Sequence, residues 1–183
     1  MKPWIKYIPY EESKENLRVK GSQDRIDNIL MIHGLRPHTL EAHMKLYKSI
    51  LHHNSNTLPK WLLETLGVYI SFLKRILKDE AKSNNIWEAI AQNNISQFFQ
   101  GRDLALLQYA KILTLNPEDL SKEFIINLRE GGLNDGEILE ANQLTSYFNY
   151  ANRPVLGLGV TTDGDILGLS PNDSSDPDNW EHS

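Results

Sequence analysis

Three histidines, His33, His38 and His43, recur every five residues, a pattern that invites a test for metal ligation or proton transfer. On a continuous α-helix each such step rotates the side chain by about 140°, so the three do not share a face and make no ready metal triad. His43 falls on an apolar stripe, where a histidine serves either as a hydrogen-bonded core or interface residue or as a proton carrier. His52 and His53 are adjacent at an expected helix end and no carboxylate follows at ligand spacing, so a solvated helix terminus is the expectation. Glu64 lies well inside a strongly apolar helix with Gly67 and Ser71 along its side. That small-residue lane admits either a ligand or another helix, and Glu64 is either an ion-pairing or a catalytic carboxylate.

Tyr147 to Arg153 gathers three aromatics, two amides and an arginine at a helix end, a density that suits a pocket lining or an oligomer contact. Gly157-Leu158-Gly159 follows no clear strand and opens no helix, so it is not read as a phosphate loop. Asp163-Gly164-Asp165 lacks the downstream ligands and closing glutamate of a calcium loop and is read as a turn. Absence is the sharpest chemical signal: the 183-residue chain contains no cysteine, which removes disulfides, thiolate nucleophiles and thiolate metal ligands together. The three methionines offer no plausible catalytic redox cycle.

The elements that must position these residues are helical. After Pro37, Leu40, His43, Met44, Tyr47, Ile50 and Leu51 recur at helical spacing, with the end expected at His53 to Asn56. A second helix starts near Pro59, and its broad stripe of Leu62, Leu63, Leu66, Tyr69, Ile70, Leu73 and Ile76 marks it as central to the core. A short helix is expected at Ile86 to Ile90. Asp103 is expected to cap a helix to about Leu113, Asn116-Pro117 to open another that stops at Gly131-Gly132, and Asn134 with Glu137 to begin the last. That helix is expected to run to about Tyr150, and residues 154–183 to form an irregular arm or small strand pair with an acidic, mobile end. Residues 1–30 read as an arm and short helix, and 1–183 as a single domain. The net charge of -5 argues against nucleic-acid binding. No apolar run suggests a membrane span or secretory leader, so a soluble cytoplasmic protein is expected.

Met31-Ile32-His33-Gly34-Leu35-Arg36-Pro37 with Leu40-Glu41-Ala42-His43 resembles the first half of AhpD-like, peroxidase-related proteins of the carboxymuconolactone decarboxylase superfamily. So do Leu46-Tyr47-Lys48 and Glu64 to Ser71, and Tyr147 to Arg153 with Leu156 to Asp165 is similar to the family's closing signature. The resemblance implies an all-α, AhpD-like helical bundle in homo-oligomers. In active members it implies a CxxC pair with a nearby Glu and His as proton relay. There a deprotonated thiol attacks a peroxide oxygen, and the second thiol resolves the resulting sulfenic acid as a disulfide.

Glu64 and Ser71 fit the positions preceding that motif, but Ser71 to Leu77 passes straight into Lys78-Asp79-Glu80. The CxxC and its paired His read as deleted, a gap of roughly three helical turns. Of the catalytic set only Glu64 carries over; His33, His43, Asn149 and Arg153 are family-like positions without an assigned role. The expected function is that of an alkylhydroperoxidase relative, in the antioxidant class, that cannot act as a thiol peroxidase and is left with assembly or small-molecule binding. The alternatives are an acid–base enzyme using Glu64 with a histidine such as His43, or a deletion variant of a working thiol enzyme. No cofactor or metal is expected.

Overall fold

A computed structural model describes residues 4–6, 28–75 and 94–160 of the chain. The expected N-terminal short helix, the helix at Ile86 to Ile90 and the acidic end all lie outside the described residues. Among the described residues every regular element is helical: α1 (Asn28–His33), α2 (Pro37–His52), α3 (Lys60–Arg75), α4 (Gly101–Leu115), α5 (Lys122–Glu130) and α6 (Asp135–Gly157). Backbone contacts divide the chain into two compact units, one of Met1–Ser55 with Arg153–Ser183 and the other of Asn56–Asn152.

The first unit holds the α1–α2 hairpin. Pro37 supplies the first helical residue of α2, whose missing N–H costs nothing there, and Leu40, His43, Met44, Ile50, Leu51 and His52 are its buried residues. The last turn of α6 also belongs here and departs from expectation: the helix does not stop at Tyr150 but continues through Pro154 to Gly157. A proline near a helix end removes one hydrogen bond while its fixed φ remains helical, so termination falls to the glycine beyond. Gly159 takes φ +64, Val160 N–H donates to the Val155 carbonyl at 2.9 Å, and a Cβ at Gly159 would collide with the Trp4 indole. Trp4 is tied there by its own N–H, which donates to the Leu158 carbonyl at 2.8 Å.

The second unit is built on α3, whose Leu62, Leu63, Leu66, Tyr69 and Ile70 are fully buried, as the broad stripe predicts. Leu106, Leu107 and Ala110 of α4, which packs on α3, and Ala141 and Leu144 of α6 are buried in the same unit's core. Two helix starts differ from the sequence reading. Asp103 lies inside the first turn of α4, which begins at Gly101 after an extended Gln100, so its carboxylate meets the helix dipole without capping. Asn116-Pro117 opens only a 3₁₀ turn, Pro117–Asp119. The next α-helix is capped by Ser121, whose Oγ accepts from Phe124 N–H at 3.4 Å.

Both expected features around residues 131–137 form. Leu133 N–H reaches the Leu128 carbonyl (3.2 Å) and Gly132 N–H the Arg129 carbonyl (2.9 Å), closing α5 around Gly132. The capping box is reciprocal: Asn134 N–H donates to Glu137 Oε2 (2.9 Å) and Glu137 N–H to Asn134 Oδ1 (3.0 Å). Arg102 adds a 2.6 Å ion pair to Glu137 Oε1.

The Asn134 backbone donor, aided by the Arg102 guanidinium, holds the Glu137 carboxyl below its ordinary value of 4.5. A depressed carboxylate stabilises the fold fully above its unfolded pKa and ceases to do so as pH falls through its folded one. Chemical denaturation at pH 7 and pH 3 should therefore show a stability loss on acidification that Glu137→Gln reduces; an unchanged loss in that variant would contradict this assignment.

Candidate functional site

In the second unit, the lane of Gly67 and Ser71 beside Glu64 lies against α6. One carboxylate sets the register: Glu140 accepts from Thr57 N–H (2.8 Å) and Thr57 Oγ1 (3.0 Å) through Oε1, and from Leu58 N–H (2.8 Å) through Oε2. These donors precede the first turn of α3, so Glu140 satisfies backbone N–H groups where the helix dipole also favours a negative charge. Eight residues on, Phe148 lies over Gly67, where an added Cβ would come to 2.5 Å of Phe148 Cε2. Farther along, Asn152 Nδ2 donates to Ser71 Oγ at 3.3 Å. The contacts advance in the same sense on both elements, so α3 and α6 run parallel. Of the two occupants the lane allowed, the structure shows a helix: Phe148 and Asn152 fill it.

Glu64 itself is half-buried, its carboxylate 4.0 Å from Lys60 Nζ one helical turn earlier. Within the Tyr147 to Arg153 cluster, Tyr147 and Asn149 are buried and Phe148 half-buried, while Tyr150 and Arg153 are exposed. Asn149 Nδ2 donates to Thr114 Oγ1 (2.9 Å) and the Thr145 carbonyl (3.0 Å), and Asn142 Nδ2 donates to Tyr109 Oη (2.6 Å), joining α6 to α4. The Tyr69 hydroxyl is buried with no hydrogen-bond partner among the described residues, and burial pushes its pKa up to about 12.

In the first unit the histidines are rearranged relative to the helical-wheel reading. That reading treats residues 33–43 as one helix, whereas the chain turns at Gly34 to Arg36, with Arg36 N–H on the His33 carbonyl at 2.9 Å. The turn brings His33 and His43 together, ring centroids 4.9 Å apart and planes tilted by 32°. His33 Nδ1 donates to the Ile29 carbonyl at 2.8 Å. His43 is buried, and desolvation, with the His33 charge second, lowers its pKa from 6.5 to about 4. It is neutral at pH 7. His38 remains exposed and apart from this pair.

His52 corrects the solvated-terminus expectation: it is buried, edge-on to Tyr47 at a centroid distance of 5.2 Å. Only His53 is exposed, its Nδ1 accepting from Ser55 N–H at 3.1 Å. Among the described residues no group of three or more His, Asp and Glu could hold a metal ion.

The residues missed in the sequence are Glu140, Arg102 and Thr114. Glu140 and Thr57 are 83 positions apart, and no local motif announces such a contact.

The Gly67–Phe148 contact predicts non-additivity. Gly67→Ala should cost on the order of 1–3 kcal/mol through overpacking, and Phe148→Leu should recover part of that loss in the double variant. Equilibrium denaturation of the three variants measures the coupling, and strictly additive losses would refute the contact.

Against known proteins the likeness is structural. No family model matches the chain, and no curated protein matches it in sequence. Among solved structures, an uncharacterised peroxidase-related protein of Ralstonia eutropha JMP134, described as an alkylhydroperoxidase AhpD core, superposes with a TM-score of 0.69 at 18% identity, covering 88% of this chain and 93% of that one. An uncharacterised peroxidase-related protein of Silicibacter sp. TM1040 gives 0.67 at 19% identity, covering 91% and 92%. Such low identity with near-complete coverage speaks for the scaffold and not the chemistry. This chain has the AhpD-like all-helical fold.

Proposed function

We propose that this chain is an alkylhydroperoxidase relative that has lost thiol peroxidase chemistry and retains the scaffold for assembly or small-molecule binding. The observation that carries the reading is the absence of cysteine from a chain with this fold. Reduction of a hydroperoxide by such a relay needs one thiol sulfur to accept the peroxide oxygen and a second thiol sulfur to displace it as water. Neither atom is present, and Glu64, beside Lys60, has no thiol to deprotonate. Support for a homo-oligomer comes from α3, where Trp61 and Val68, two turns apart on one side, are 54% and 42% exposed. No described helix is long and apolar enough to cross a membrane, and the reading places the protein in the cytoplasm as a single functional domain.

The acid–base reading keeps Glu64 and His43 as its pair. It must accommodate two observations: Phe148 and Asn152 occupy the lane beside Glu64, and burial leaves His43 a weak base.

The test is consumption of hydrogen peroxide and an organic hydroperoxide in the presence of a dithiol reductant, beside a variant with a CxxC-containing segment restored after Ser71. The native chain should show no turnover above the protein-free rate. Turnover by the native chain overturns the proposal, and its loss in Glu64→Gln would favour acid–base chemistry instead.

A further inference from the structure

The last turn of α6 is closed by a residue from the other end of the sequence. Pro154 supplies no N–H to the helical ladder, and the turn beyond it is held by Leu158 N–H on the Pro154 carbonyl at 3.0 Å and Val160 N–H on the Val155 carbonyl at 2.9 Å. A third bond comes from outside the helix. Trp4 N–H donates to the Leu158 carbonyl at 2.8 Å, one of the terminal acceptors for which a helix end has no internal donor. The Trp4 indole then lies on Gly159, where an added Cβ would collide with Cε2, Cδ2 and Nε1 of the ring. We propose that Trp4 is a releasable strap, closing the last turn of α6 while it is docked and letting residues 154–160 open when it is displaced.

The residue under the ring meets two separate demands. Ending the helix requires φ +64 at Gly159, a conformation that asparagine also reaches at small cost. Lying beneath an aromatic face requires in addition that there be no Cβ, and only glycine satisfies both. The backbone bond survives a change of side chain at position 4, so the part played by the indole is its contact with Gly159.

The strap is held lightly. Trp4 keeps 70% of its surface exposed, so docking removes little apolar area from water. A net backbone hydrogen bond shifts a local equilibrium by about fivefold. Docked and free forms therefore differ by a modest factor, which suits a contact that opens without unfolding the rest of the unit. The coupling is reciprocal: docking of Trp4 closes the turn, and opening of the turn frees Trp4.

Hydrogen exchange of the full chain, read by NMR at single amides, tests this. Trp4→Ala should lower protection of the Leu158 and Val160 amides by about fivefold and leave Met44 to Tyr47 of α2 and Leu66 to Ile70 of α3 unchanged. Trp4→Phe, which keeps a flat ring, should restore most of the protection. Gly159→Asn retains a residue that accepts the left-handed conformation but pushes the ring away, so Leu158 and Val160 should lose protection to a similar extent, and the Trp4 amide with them. The double variant Trp4→Ala/Gly159→Asn should lose no more than either single one. Unchanged protection in Trp4→Ala, an equal loss across α2, a Trp4 amide still protected in Gly159→Asn, or additive losses in the double variant would each overturn the strap.

Discussion

The second unit depends on how closely α6 approaches α3, and one missing methyl group sets that distance. Gly67 lets the Phe148 ring reach the α3 backbone; Glu140 fixes the start of the seam at Thr57 and Leu58, and Asn152 marks its far end at Ser71. Leu62, Leu66 and Ile70 of α3 then bury against their neighbours with no exposure left. Interiors packed at crystal-like density transmit a change at one contact to the next, so these residues act as one surface.

Burial of polar groups is compatible with that core because the pairing is largely complete. Asn149 bridges Thr114 and Thr145, Thr145 Oγ1 returns a 2.7 Å bond to the Ala141 carbonyl, and Glu137 is held by both its own cap and Arg102. Each bond contributes modestly, about 1 kcal/mol, but an unpaired buried partner costs more than a bond gains. These ties therefore specify the α4–α6 register more than they add net stability.

Much of this was legible in order of locality. Pro37, the Gly131-Gly132 stop and the Asn134–Glu137 box each bias a few consecutive residues, and each produces the element expected of it. The glycines after Pro154 suggest an irregular arm from residue 154, whereas the proline ring suits a last helical turn that Gly159 closes. The histidine pair was missed for a different reason. A wheel drawn through residues 33–43 cannot show that the chain reverses at Gly34 to Arg36 and lays one ring over the other. Glu140 on Thr57 lay beyond any local signal, since a contact spanning 83 positions is set by tertiary packing. For Glu64 the sequence offered a lane but not its occupant, and α6 supplied it.

A scaffold shared with peroxidase-related proteins, in a chain with no thiol, separates fold from thiol chemistry. Rapid mixing of the reductant-free protein with one equivalent of hydrogen peroxide, followed by intact-mass analysis, addresses that separation most directly. The account predicts no fast phase of peroxide loss and no mass gain beyond slow oxidation of methionine. A rapid burst approaching one equivalent per chain would contradict it, because some group other than a thiol would then be accepting the peroxide oxygen.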